Sequence, residues 1–530
     1  MLRIVFLVFF CPYELVADEA HYWEWSRRPS LSYHTKGPGV AWTIGASTAI
    51  FGHHEWSVRL PTAIAGFVST LAIAGLAFNA SGGRKRVAVA AAILFNLAPG
   101  YQATNILMTI DGPYVACWIL AAWAGWCLVK AWQQGESNTA IAAGLGLAMG
   151  VGFLFKYTIL LLLVGQAVAF FLVIRRSGIG GRAVRDLLVA FIVFVVTISP
   201  VLIWNHQQGW PTVSHLIGHL GMGGGDIPDE KVKPWQFNPM WPVEFIGSQL
   251  GIANPAMLAL IAMTLLRFKK HRARQTAANR AHAYMTVCGL PVVLFYVLIS
   301  FVTDAEGNWP LAGYSTLLVS VAMVISGQLR RYRAMVRKWS GMSDPKPKMG
   351  FMRAKPETAY QVAWHWALGI GVGTGIGMMV LPAAAHLPVV GPLVPTYRFT
   401  GAAERAMRVD AVRKELTEQW GEQPLIMADK YQKASLLAFY LPDHPRISSV
   451  ASYFGDRVSP YDYFEDVDPR SPERIGHGYI LVGGSPGKWQ SRFLMDDPKV
   501  GDEELRVFYT SRYRGLREQP KQESSDDSTP

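Results

Sequence analysis

The chain has 530 residues, 51% of them hydrophobic and 12% aromatic, a mean hydropathy of +0.19 and a formal net charge of +12. Apolar runs of about 17–25 residues recur along it, long enough to cross a ~30 Å hydrocarbon layer as helices. That excludes an ordinary soluble globular protein. Because the runs are continuous rather than alternating, it also excludes a transmembrane barrel.

In chain order the apolar stretches fall near 2–13, 58–79, 87–103, 113–131, 139–155, 158–174, 187–204, 245–266, 282–302, 311–328 and 361–383. They predict about eleven spans. The first is short for a span, so either it begins upstream of Met1 or it is a partly inserted signal anchor. The Asp18-Glu19 pair behind it offers no small-residue cleavage site for a signal peptide.

The positive charge follows the same alternation. Loops at 84–86, 175–185, 267–280 and 330–355 carry 22 Lys and Arg, against 5 in loops 14–57, 104–112, 205–244 and 303–310. That is the positive-inside pattern, so the charge records topology rather than nucleic-acid binding. Membrane lipids with anionic headgroups are natural partners of such loops. Loop 14–57 and everything after about 384 are then predicted to lie outside. The four cysteines have no metal-ligand spacing and read as small buried hydrophobes.

The character changes after about 384. Gln423-Pro424-Leu425-Ile426-Met427-Ala428 reads as a strand, 433–440 as a helix and 478–484 as a strand ending in glycines. We therefore expect a membrane domain over 1–384 and a small extracytoplasmic α/β domain over 385–517. The polar 518–530 tail is expected to be disordered. No P-loop, dinucleotide fingerprint, HExxH motif or repeat is present, and glycine-rich 221–226 reads as an outer loop.

Charge beside a bilayer is expensive and marks candidate function. Four features share the outer side: Asp18-Glu19 with Tyr22, Lys36 with Tyr33 and His34, Asp111 just before a span, and Trp204-Asn205-His206-Gln207-Gln208-Gly209-Trp210. Two carboxylates and a lysine suit a reaction on a polar group carried by a lipid, with an acid as general base and a cation on a departing phosphate. Each has a plainer reading. Lys36 could snorkel, Asp111 could cap the helix entering at Pro113, and the tryptophans could form an interfacial belt. His53-His54 reads as a surface pair.

The combination of Asp18-Glu19-Ala20-His21-Tyr22-Trp23, Tyr33-His34-Thr35-Lys36-Gly37-Pro38, Arg59-Leu60-Pro61, Met108-Thr109-Ile110-Asp111-Gly112-Pro113, Phe155-Lys156-Tyr157-Thr158, the Trp204 motif and Asn308-Trp309-Pro310 resembles a known group. It is that of the dolichyl-phosphate-mannose protein mannosyltransferases and aminoarabinose transferases, of GT-C architecture. Ala434-Ser435-Leu436-Leu437-Ala438-Phe439-Tyr440 extends the resemblance into the outer domain. The chain departs from the group at Lys36-Gly37-Pro38, where lysine or histidine is usually followed by two prolines.

The resemblance implies a polytopic α-helical enzyme of the bacterial inner membrane. It would move a sugar, with inversion, from a polyprenyl-phosphate donor to a lipid, glycan or protein acceptor outside. It makes Asp18, Glu19 and Asp111 the catalytic acids, and Lys36, Arg59 and Lys156 the donor-phosphate cations. Tyr22, Tyr33, His34, Asn205 and His206 would line the substrate cavity. It implies no certain cofactor; some relatives involve a divalent cation, but no ligand set is evident here. A polytopic transporter or lipid flippase is the rival, disfavoured because the charges collect at the outer ends and no internal repeat is visible.

Overall fold

The computed structural model describes residues 2–219, 237–271, 276–340, 355–384 and 398–517. The stretch 221–226, the boundary just after 384 and the tail 518–530 lie outside the described residues. The chain forms two compact units. The first takes the described parts of 1–12, 29–223 and 231–394, and the second takes 13–28 with the C-terminal residues from 395. The segment Tyr13–Arg28, expected with the membrane domain, thus belongs to the C-terminal unit.

Every regular element among the described residues of the first unit is a helix. Its helices are α1 (Leu2–Phe9), α3 (Gly39–Phe51), α4 (Glu55–Ala80), α5 (Lys85–Leu97), α6 (Pro99–Thr104), α7 (Asp111–Gln133), α8 (Thr139–Phe155), α9 (Leu161–Ser177), α10 (Gly180–Gln207), α11 (Pro211–His219), α12 (Met240–Ala253), α13 (Pro255–His271), α14 (Ala277–Ile299), α15 (Leu311–Ser340) and α16 (Pro356–Ala384); α2 (Ala17–Ser26) lies in the second unit.

Helix falls in each of the eleven apolar stretches, although in the first it ends at Phe9. Among the described residues, six helices are long and apolar enough to span a membrane, or seven if α12 and α13 count together. These two meet at a 99° bend, which corrects the continuous span expected over 245–266. Asn254 breaks the helix with a left-handed φ of 72°, and Pro255 cannot donate to the preceding turn. The Asn254 side chain covers the break, accepting from Ala256 N at 3.0 Å and donating to Ala367 O at 3.1 Å.

Small residues bring the helices close, as expected where apolar surface alone drives little association in lipid. A Cβ at Gly146 of α8 would lie 2.1 Å from the Ala190 carbonyl oxygen of α10, and one at Gly165 of α9 would lie 1.8 Å from Val287 O of α14. One buried acid, Asp186, ties α10 to the end of α7 and the start of α8. It accepts from Trp132 Nε1 at 2.9 Å, Ser137 Oγ at 2.8 Å and Asn138 N at 3.1 Å.

The second unit is an α/β domain, as the sequence predicts. Strands β1 (Leu425–Ala428), β2 (Ser448–Ser449), β3 (Tyr479–Val482), β5 (Lys499–Asp502) and β6 (Val507–Thr510) form a sheet of order β2-β1-β3-β6-β5. β1 pairs parallel with β2 and β3, and the remaining pairs are antiparallel. A second pair, β4 (Phe493–Met495) with β7 (Tyr513–Leu516), adds Phe493 and Tyr513 to a core with Met427, Leu481 and Trp489. Helices α17 (Ala402–Trp420) and α18 (Tyr431–Tyr440) complete the unit.

Helix α2 is built into this domain. Trp23 is fully buried, edge-on to Phe439 at 5.0 Å, and Leu15 N donates to the Tyr440 hydroxyl at 2.7 Å. Glu14 accepts from Ala402 N at 2.5 Å, capping α17. Arg27 and Arg28 both pair with buried Glu24, and Arg28 also with Asp466 at 2.7 Å.

His21 sits at the centre of this contact, stacked 5.5 Å from Tyr461. Trp25 Nε1, which can only donate, bonds His21 Nε2 at 3.2 Å, so the ring proton is on Nδ1 and points to Ser435 Oγ at 3.2 Å. Burial pushes the His21 pKa down to about 3. Between that value and the ordinary 6.5, the unfolded chain binds a proton that the folded unit refuses. The stabilisation is present above pH 6.5 and is lost as pH falls, by about 1.4 kcal/mol per unit. Denaturation followed over about pH 4–6 is expected to show a shallower pH dependence for His21→Gln than for wild type; identical slopes would contradict the assignment.

Candidate functional site

In the first unit, Asp111 begins α7 and Lys156 follows the last residue of α8, and their side chains meet. Lys156 Nζ lies 2.8 Å from Asp111 Oδ1, with the two side chains 11% and 5% exposed. Asn308, three residues before α15, donates to Asp111 Oδ2 at 2.7 Å. Both carboxylate oxygens are therefore occupied. Lys156 Nζ also stands 5.5 Å from the centre of the Tyr114 ring, one turn into α7.

Among the described residues this ammonium makes one hydrogen bond, to Asp111, out of the three it can donate. An ion pair this buried is tolerable only with such support, since desolvation costs several kcal/mol per charge. Asp111 is thus more than the helix cap weighed from sequence. In the sequence Asn308 stands only within a motif, an Asn just ahead of Trp-Pro and an apolar helix.

Two neighbouring elements close on this cluster. Gly112 packs so tightly that its Cβ would lie 2.1 Å from Thr62 Oγ1, and Thr62 donates to Thr104 O at 2.6 Å. That fixes α4 against the start of α7. Arg59, one turn earlier on α4, is 1% exposed and donates to Cys11 Sγ at 3.5 Å.

The turn carrying Lys36 is closed by reciprocal backbone bonds, Tyr33 N to Lys36 O at 3.1 Å and Lys36 N to Tyr33 O at 3.3 Å. Behind it, Gly37 rests on the end of α8: a Cβ there would lie 2.4 Å from the Leu154 carbonyl oxygen, two residues before Lys156. Any side chain would collide with that carbonyl, which accounts for glycine where the resembled group has proline. Lys36 itself is half-buried, while Tyr33 and His34 are buried, His34 lying edge-on to His215 at 5.1 Å.

The other expected residues have different surroundings. Asn205 is buried and orders the turn from α10 to α11, donating to Val201 O at 3.0 Å and accepting from Thr212 N at 3.3 Å. His206 is exposed. In the second unit, Glu19 is fully buried and accepts from Val16 N at 3.0 Å, closing the first turn of α2. Asp18, beside it, is exposed. It helps burial raise the nearby Tyr431 hydroxyl to about 12. Tyr22 packs edge-on to Trp25 at 5.1 Å. No group of three or more His, Cys, Asp or Glu side chains converges among the described residues, and the cluster of Asp111, Lys156 and Asn308 offers a single carboxylate beside an ammonium, which is a poor ligand set for a cation.

Residues 35–204 match the family model of the dolichyl-phosphate-mannose-protein mannosyltransferases. The lipid A galacturonosyltransferase RgtD of Rhizobium johnstonii is 27% identical over 315 residues, 59% of this chain. The chain spans 60% of the length of that relative. ArnT from Cupriavidus metallidurans, solved in the apo state and bound to undecaprenyl phosphate, superposes with a TM-score of 0.60 at 15% identity. The match covers 96% of this chain and 95–96% of ArnT. The resemblance to the mannosyltransferase and aminoarabinose-transferase group thus holds in sequence and in fold. The chain shares the ArnT fold, and its described residues include six or seven helices long and apolar enough to span a membrane.

Two substitutions test the geometry. Lys156→Met leaves a buried carboxylate without its partner and is expected to cost about 3–5 kcal/mol in thermal unfolding. Gly37→Ala forces the Lys36 turn off the end of α8, at about 1–3 kcal/mol. Wild-type unfolding of either variant would show that these contacts do not form.

Proposed function

From this GT-C fold and mannosyltransferase-type segment, we propose that the protein is an inverting glycosyltransferase. It takes a sugar from a polyprenyl phosphate and passes it to an acceptor outside the cytoplasmic membrane. The observation that carries this reading is the buried Asp111–Lys156–Asn308 cluster beside the Lys36 turn. Asp111 and the basic loop at 84–86 lie at opposite ends of the α4–α7 pair, and the positive-inside bias supports an outer position for the cluster.

The chemistry needs no nucleotide fold, because the sugar phosphate already holds its leaving group. An acceptor hydroxyl attacks the anomeric carbon, and the bond from that carbon to the phosphate oxygen breaks with its electron pair staying on oxygen. One displacement inverts the centre. The departing monoester carries one more negative charge than the diester did, so cations fixed beforehand lower the barrier. We assign that role to Lys36 and Lys156, with Asp111 and Asn308 orienting the Lys156 ammonium. Arg59, buried on α4, braces the same end of the bundle.

The acceptor proton goes to a carboxylate. We assign Asp18, the exposed acid of α2, while Glu19 holds the helix turn. The resemblance supports Tyr22, Tyr33 and His34 as further substrate-contacting residues. The acceptor is proposed to be a lipid, the class to which the lipid A in the RgtD name belongs. A transporter or flippase reading has no comparable support from the Asp111 cluster.

Transfer of radiolabelled sugar from polyprenyl phosphate in proteoliposomes tests the reading. Asp18→Asn should lower turnover by roughly 10²–10⁴-fold while donor binding persists. Lys36→Ala should lower it by roughly 10²–10³-fold. Undiminished transfer by Asp18→Asn would remove the base assignment. No transfer by folded wild type from any donor would reject the enzyme reading.

A further inference from the structure

The far end of the same bundle holds a polar cavity of about 570 Å³, which falls within the ~300–1,000 Å³ common for small-ligand sites. Arg84 from the loop after α4, Arg267 of α13, and Arg330 and Arg331 of α15 line it, with Gln328 between them. Arg84 and Arg330 also line an adjoining 340 Å³ hollow with Lys85 and Arg86. Asn308 precedes α15 and Gln328 lies 20 residues further on, so the cavity is ~25–30 Å along the helix from the Asp111 cluster.

The positive-inside bias explains why cations gather at this end. It does not explain why four guanidinium groups converge on one concavity, where like charges repel. Among the described residues no acid lines either hollow, and none of the four arginines has an ion-pair partner. Gln328 adds an independent sign of a ligand. Its side chain is 2% exposed, yet Oε1 has no hydrogen-bond partner. A buried acceptor left unmet is costly, and it calls for a donor. An anion alone has none to offer; an anion carrying a hydroxyl does.

We propose that this cavity binds a phosphate ester bearing a free hydroxyl near the phosphate. The arginines take the phosphate oxygens in their forked geometry, and the ligand hydroxyl donates to Gln328 Oε1. A phospholipid headgroup and a small soluble phosphate ester share this chemistry.

The test uses the full chain in detergent, with bound lipid read by native mass spectrometry. Phosphatidylglycerol and phosphatidylmethanol are the probes: both are singly charged phosphodiesters, and only the first has headgroup hydroxyls. Wild type should retain phosphatidylglycerol preferentially. The double variant Arg267→Gln/Arg331→Gln should bind it roughly tenfold more weakly. Gln328→Leu, which removes the unmet acceptor and so leaves the fold intact, should bind the two lipids alike.

Glycerol 3-phosphate added to the lipid-loaded protein then separates the sources. Displacement supports the site with a soluble ligand, and retention of lipid supports it with a headgroup. Equal phosphatidylglycerol uptake by wild type and the double arginine variant would overturn the proposal, as would a wild type indifferent to the headgroup hydroxyls.

Discussion

A carboxylate and an ammonium 2.8 Å apart, both almost out of reach of water, hold one end of the membrane unit together. Taking those charges from solvent costs more than packing apolar groups in their place would, so the pair is a poor stabiliser of a fold on its own account. What it does supply is placement. Asp111 opens α7, Lys156 closes α8 and Asn308 leads into α15, and the three meet only if those helix ends are brought to one level. The tight seating of Gly112 on Thr62 and of Gly37 on Leu154 follows from that constraint. Backbone comes close enough there to leave a rigid wall beside the two lysines.

The opposite end of the same helices is built on the reverse principle. There the cations of Arg84, Arg267, Arg330 and Arg331 surround a hollow with no acid among its lining residues. At the Asp111 end the protein brings its own counter-charge; at the other it leaves positive potential for something else to meet. Long apolar helices with opposite electrostatic ends are what a bilayer with a bias in its flanking charges demands.

The α/β unit shows how a short sequence motif can serve two purposes. In Asp18-Glu19-Ala20-His21-Tyr22-Trp23, Glu19 closes the helix turn, His21 accepts from Trp25 and donates towards Ser435, and Trp23 fills the contact with Phe439. Asp18 alone faces outward. The partial match in Ala434-Ser435 and onward has its reason here: that helix receives α2, so the two segments answer to one packing surface.

Much was legible in the residues themselves. Apolar runs and the loop bias of Lys and Arg determined a helical membrane protein with a separate C-terminal α/β domain, because lipid leaves the backbone few alternatives. Ordered motifs pointed to Asp111, Lys156 and Lys36 as chemistry-bearing residues. The pairing of Asp111 with Lys156, 45 positions apart, and the part played by Asn308 needed the tertiary structure, since contact between helix ends leaves no periodic trace in sequence. The 99° break between α12 and α13 falls at Asn254-Pro255, a turn-forming dipeptide whose long apolar flanks let the whole stretch read as one span. Sequence decided which segments are helices and which residues are worth charging; the meeting of distant helix ends decided which of those charges compensate one another and which are left for a ligand.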